Sequence, residues 1–181
     1  FSTSVQRIRR HGIMVVGSFI IGLDVDEPGI GTRVAQTARH YGVDNLNALF
    51  LTPLPGTRLY DQMKEADRIA LDRFPEDWKY YTLTFPVARY KHLSRNDIID
   101  EMNACNAEFY SLRHILGRTC SNVWHRTRPV VSLIANLSYR SNSRLDRKAY
   151  VEFTRRHADR PDTDCARQEA PARVRNGIFG R

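Results

Sequence analysis

Cysteine is scarce in this 181-residue chain, and the three that occur stand apart: Cys105, Cys120 and Cys165. No CxxC pair and no CxxxCxxC triplet is present, so the chain offers no closely spaced thiolates for an iron–sulfur cluster. It offers no disulfide framework either, and the odd, widely spaced set fits a reducing compartment, hence an expected cytoplasmic localisation. The six histidines show neither HExxH nor HxxxH spacing, so no metal site is read from the chain. No apolar run reaches the roughly 18 residues of a membrane span; the longest, 13–21 and 129–137, are too short. RNA-binding, zinc-finger and helix-turn-helix signatures are also missing, so no nucleic-acid motif is found. The chain opens on Phe1, not Met, inside what reads as a helix. We therefore expect a piece of a longer protein whose amino-terminal half is its missing partner.

What is present is a soluble-type composition, 41% apolar and 27% charged, with a lopsided charge. Residues 1–110 carry 13 Lys+Arg against 14 Asp+Glu, a net of −1; residues 111–181 carry 15 against 6, a net of +9. The basic part is either a solvated surface or a face for an anionic partner.

Along the chain, Ser4–His11 reads as a helix end, with Ser4 as a cap and Gly12 closing it. The run 13–21 is β-branched and continuously apolar, the pattern of a strand buried on both faces. Residues 22–31, with three glycines and a proline, form a loop. A short helix over 32–41 and a second buried strand over 46–51 follow. "TPLPGT", Thr52–Thr57, is a turn whose last residue caps the helix "RLYDQMKEADRI". This order implies two parallel strands joined by a right-handed crossover. In such sheets the loops at the carboxyl ends of the strands hold the chemistry. "GLDVDEPG" and "TPLPGT" are both such loops, so Asp24 and Asp26 sit where an active site would lie. Either could instead only end the strand, a role that suits Asp26 better.

Residues 74–93 are aromatic-rich with two prolines and read as an extended wrapping segment. Ser94 and Asp97 resemble a capping box. They open an amphipathic helix of about 22 residues that ends near Gly117 and buries Cys105. "PVVSLIANLSYR" and "RLDRKAYVEFTRRH" read as two more helices, and residues 159–181 as a disordered basic tail.

The motifs go further than the periodicity. "GSFIIGLDVD" (17–26), followed by "FLTPLPGTRLYDQM" (50–63), resembles the later part of a radical S-adenosylmethionine (SAM) domain. The likeness is to the cobalamin-binding, hopanoid-methylase-like group and runs from about Ser4 to Phe153. "DWKYY", "FYSLRHILGR" and "ANLSYRSNSRLDRKAY" look like the helical region appended to that group. The resemblance implies an α/β fold: the last two units of a partial (β/α)6 barrel over 1–73, then a wrapping segment and helical extension over 74–158. It implies that Phe19, Ile20, Gly22 and Asp24 contact SAM. The close backbone approach at Gly22 and an apolar face would suit adenine, although Phe19 and Ile20 also read as plain core. The loop Thr52, Pro53, Pro55, Gly56 and Thr57 would border a small-molecule or lipid substrate. The whole enzyme would use SAM and a [4Fe–4S] cluster, with or without cobalamin, in radical chemistry such as methyl transfer.

Here the chain departs from the family. It lacks the cysteine triplet and the Asp-x-His-x-x-Gly signature of cobalamin binding, so by itself it is expected to bind no cluster and to be inactive. The alternative is a non-catalytic α/β binding module with a basic helical surface for an anionic partner.

Overall fold

Two six-residue strands lie side by side in parallel, β1 (Val16–Ile21) and β2 (Asn45–Phe50), with Val16 opposite Asn45 and Ile21 opposite Phe50. They belong to a computed structural model that describes residues 2–124 and 129–158. α1 (Ser2–Arg10) precedes β1, and α2 (Ile30–Tyr41) makes the crossover between the strands. α3 (Arg58–Glu65) follows β2. A 3-10 turn (Trp78–Tyr80) lies in the aromatic segment; α4 (Arg95–Phe109), α5 (Leu112–Trp124) and α6 (Pro129–Arg156) follow it. The expected disordered tail, 159–181, and Cys165 lie outside the described residues. Among the described residues, no helix is long and apolar enough to cross a membrane.

Strand alternation sorts the sheet into two faces. Gly17, Phe19 and Ile21 share one face with Leu46, Ala48 and Phe50. That face meets the helices, and its core takes in Val34, Ala35 and Ala38 of α2 with Ile98, Met102, Cys105 and Phe109 of α4. Val16, Ser18 and Ile20 point the other way, and Val16 and Ile20 are about half exposed. The expected strand buried on both faces is thus corrected: nothing among the described residues covers the second face of β1.

The helix ends explain themselves locally. Gly42 closes α2 at φ 76°, its N–H returning to the carbonyls of Ala38 and Arg39. Ser94 and Asp97 form the full capping box of α4, with bonds of 3.1 and 3.0 Å. α1 begins at Ser2, ahead of the expected cap at Ser4. The single helix expected to reach Gly117 is instead two, broken at Tyr110 and Ser111. The Tyr110 hydroxyl accepts from Leu46 N–H at 3.0 Å and donates to Leu46 C=O at 2.7 Å. It occupies a backbone pair on the outer edge of β2, which fixes where α4 must stop. Conversely, the two helices expected after Pro129 are one: no glycine or proline interrupts residues 130–156. The 74–93 segment is irregular rather than extended. It lodges Tyr80 and Phe85 against Phe153 of α6, with ring centroids 5.0 and 5.1 Å away.

Cys105 is fully buried in the α4 stripe, as expected, and burial pushes its thiol up to about 12. Cys120 is exposed. Brief alkylation of the native protein should therefore label Cys120 and spare Cys105 until the chain unfolds. Peptide mass spectrometry reads this directly, and equal labelling of the two would contradict the packing.

Candidate functional site

The carboxyl ends of the two parallel strands deliver the loops 22–29 and 51–57 to one end of the sheet. Leu51 N–H bonds to the Ile21 carbonyl at 2.8 Å, so the two loops depart side by side.

Asp26 organises the first loop. It is 6% exposed, and its Oδ2 accepts from both Gly22 N–H and Leu23 N–H at 2.8 Å. The buried Gly22 N–H would otherwise end the strand unpaired, at a cost of about 1–3 kcal/mol. Asp26 is therefore committed to holding the turn.

Asp24 is different. Its carboxylate is half exposed and meets the Arg68 guanidinium as a two-bond fork, at 2.6 and 3.0 Å. Arg68 also reaches the Arg89 carbonyl through Nε at 3.2 Å, which fixes it to the segment behind. Hydrogen bonds from Arg68 hold the Asp24 carboxyl below its ordinary 3.8, outweighing the opposite effect of burial. The folded value lies below the unfolded one. The pair's contribution is thus present above pH ~4 and fades as acid carries the pH through the lower folded value. At this exposure it is small.

Gly22 sits at φ 107° and is buried. A Cβ there would lie 2.4 and 2.7 Å from ring carbons of Tyr90 and 2.9 Å from Ile98. The residue is glycine because Tyr90 fills the space, and its N–H is already taken by Asp26. This local packing is by itself sufficient reason for the glycine. Phe19 and Ile20 likewise part company. Phe19 packs on the helix side, where a Cβ on Gly17 would approach its ring to 2.9 Å. Ile20 alone of the pair lies on the open face, 50% exposed. Leu23 and Val25, at 43% and 81%, extend this apolar strip into the loop, and no sequence signal had marked them.

In the second loop, Thr52 is buried, its hydroxyl donating to Phe50 C=O at 3.1 Å, and Pro53 is buried beside it. Thr57 caps α3 by accepting from Tyr60 N–H at 3.3 Å, and its hydroxyl donates to the Leu54 carbonyl at 2.7 Å. Pro55 is half-buried; Gly56, at φ 83°, is exposed with open space around it. The expected helix shortens to Arg58–Glu65. Of the five substrate-side candidates, Pro55, Gly56 and Thr57 face outward, while Thr52 and Pro53 belong to the packing.

Among the described residues, no three His, Cys, Asp or Glu side chains converge as metal ligands. Cys105 is enclosed in the helical core and Cys120 lies on another helix. These residues do not fit an iron–sulfur cluster. For SAM the fit is partial: an exposed apolar surface at Ile20, and a half-exposed carboxylate at Asp24 held by Arg68.

No family model and no solved structure matches the chain. Similarity to curated proteins does occur. The chain is 22% identical over 161 residues to a bacteriochlorophyllide d C-8(2)-methyltransferase of Chlorobaculum tepidum, covering 89% of the chain and 33% of that protein. It is 27% identical over 107 residues to an uncharacterised methyltransferase of Pyrococcus horikoshii, covering 59% and 22%. It is 30% identical over 66 residues to an uncharacterised methyltransferase of Synechocystis, covering 36% and 12%. The chain is thus similar to methyltransferases and spans from an eighth to a third of their lengths.

Proposed function

We propose that the chain is the carboxyl-terminal part of a SAM-dependent methyltransferase of the radical SAM type. In this reading it closes the SAM pocket and borders the substrate. The observation that carries methyl transfer is the similarity to a methyltransferase over 89% of the chain; the radical SAM type rests on the motif resemblance at residues 17–26 and 50–63. It is supported by the parallel β-loop-α units whose loops meet at one end. The open edge of β1 and its uncovered face, Val16, Ser18 and Ile20, are where preceding strands and the interior of a partial barrel would lie. SAM, when bound, supplies the methyl group; the cluster such chemistry needs would come from outside the described residues.

The chain's own residues then have distinct tasks. Ile20 offers an apolar surface to the adenine, and Leu23 and Val25 shield it from water. Asp24, held by Arg68, accepts hydrogen bonds from a ribose hydroxyl or the amino group of SAM. Asp26 keeps the loop in place without touching the ligand. Pro55, Gly56 and Thr57 edge the substrate side.

The full-length protein, prepared without oxygen and loaded with iron and sulfide, should bind SAM by calorimetry. Asp24→Asn should weaken that binding about tenfold, the worth of one charge-assisted bond, and leave the unfolding midpoint nearly unchanged. Asp26→Asn should do the reverse, lowering stability by about 2 kcal/mol. A full-length protein that ignores SAM would end this reading. Equal effects of the two variants on SAM affinity would end the assignment of Asp24.

A further inference from the structure

The opposite end of the sheet holds a second site. Where the chain enters β2, a cavity of about 410 Å3 opens between α1, α2 and α5, lined by Arg9, Arg39, Arg113, His114, Gly117 and Arg118. Four guanidinium groups around one small space is a large concentration of one charge. Two carboxylates answer them: Glu108 meets Arg39 at 2.7 Å, and the buried Asp44 lies 3.5 Å from Arg9. Arg39 also approaches His114 Nε2 at 2.5 Å. The Nδ1 atom of the same ring lies 2.9 Å from the Glu108 carbonyl and 2.7 Å from the Ser111 hydroxyl. Among the described residues four guanidinium groups thus stand against two carboxylates, an excess of about two positive charges.

Arg118 shows what is missing. Its Nη2 donates to Asn136 at 2.6 Å, and its guanidinium lies 4.1 Å from the Phe109 ring centroid. Its Nε and Nη1 are buried and have no hydrogen-bond partner among the described residues. Burial lowers its pKa to about 10, which leaves it charged at neutral pH. Buried donors of a charged group are seldom left without an acceptor; Nε and Nη1 leave different edges of the guanidinium, so each calls for an acceptor oxygen of its own.

Helix α5 shapes the floor. Arg113 and Gly117 are four residues apart, as are His114 and Arg118, so they form one face. Nothing lies within 4 Å of where a Cβ on Gly117 would be, so the floor is bare there.

We propose that this cavity binds the phosphate or diphosphate group of a small phosphorylated molecule. A dianion matches the excess charge, guanidinium forks match phosphate oxygens, and the volume falls within the range of about 300–1,000 Å3 usual for small ligands. The site lies a strand length, about 20 Å, from the Asp24 loop and does not depend on the SAM reading. Because the cavity joins three helices, its ligand ties α1 and α2 to α5.

The test uses the full chain, with any upstream part of its reading frame, in about 0.15 M salt. Inorganic pyrophosphate should raise the unfolding midpoint in a dose-dependent way and give a saturable calorimetric isotherm. Arg118→Gln and Gly117→Leu should each weaken binding about tenfold or more, while Arg7→Gln, on the exposed side of α1, should not. Should Arg118→Gln fail to fold, Gly117→Leu decides, since it adds bulk only to open space. Vesicles with phosphatidic acid, against plain phosphatidylcholine, separate the sources. Binding that Gly117→Leu abolishes there marks a lipid headgroup; pyrophosphate binding without it marks a soluble ligand. No response to pyrophosphate, or one that both cavity variants leave intact, overturns the proposal.

Discussion

Gly31→Ala should lower the stability of the protein by about 4 kcal/mol, although alanine is the better helix former by about 1 kcal/mol. Gly31 lies in the first turn of α2, where that helix crosses α4. A Cβ there would stand 1.9 Å from the backbone carbonyl oxygen of Glu101 and 2.7 Å from its carbon. That carbonyl sits mid-helix in α4 and has no rotamer to change, so the helices themselves must part. Parting them breaks a second feature: the Glu101 carboxylate accepts from Gly29 N–H at 2.5 Å and Gly31 N–H at 2.7 Å. It thereby caps α2, whose own Gly29 has no side chain for the purpose. Overpacking costs about 1–3 kcal/mol, and the loosened charge-assisted bonds about as much again. For a chain of this size that is a fall of roughly 10 °C in the unfolding midpoint. Glu101→Gln should cost less, about 1–2 kcal/mol, because the amide oxygen still accepts one bond. A Gly31→Ala protein as stable as its parent would mean that α2 and α4 do not cross at this point.

The crossing shows why some of the fold was legible and some was not. β1, β2, the crossover and the Thr57 and Ser94 caps are local: each needs only residues within one turn or one run. "PGIG" also gave a local message, a loop, and Gly29 obeys it. Gly31 does not, because its reason for being glycine lies 70 residues away in Glu101. The same holds for the break at Tyr110, set by Leu46, and for Asp24, whose partner Arg68 is 44 residues off. The strand run 13–21 is apolar but for Ser18, too little to say which face the helices would take. That choice separates Phe19 from Ile20. The basic cavity was visible only as an excess of charge after residue 110. Arg9 and Arg39 come from the evenly charged part, and only the fold brings them beside Arg113 and Arg118.

Gly22→Val should fail by unfolding, not by selective loss of a ligand. The residue sits at φ 107°, where a β-branched side chain is strained by about 1–3 kcal/mol. Its Cβ would press into Tyr90, which is 2% exposed and anchored by a 3.2 Å bond from its hydroxyl to the Leu51 carbonyl. The ring cannot swing aside without opening the junction between the two loops, and Ile98 closes the other side at 2.9 Å. Strain and overpacking together come to about 4 kcal/mol, a large share of the ~5–15 kcal/mol of a typical domain. Relieving the clash from the other side separates the two contributions. Tyr90→Ala leaves a void of its own, but Gly22→Ala in that background should cost less than in the parent, keeping only the backbone strain and the approach to Ile98. Thermal unfolding of the four proteins gives the coupling between the sites. If the two substitutions are simply additive, Tyr90 is not what holds position 22 to glycine. A Gly22→Val protein with its unfolding midpoint intact and its SAM affinity gone would restore the ligand as the reason.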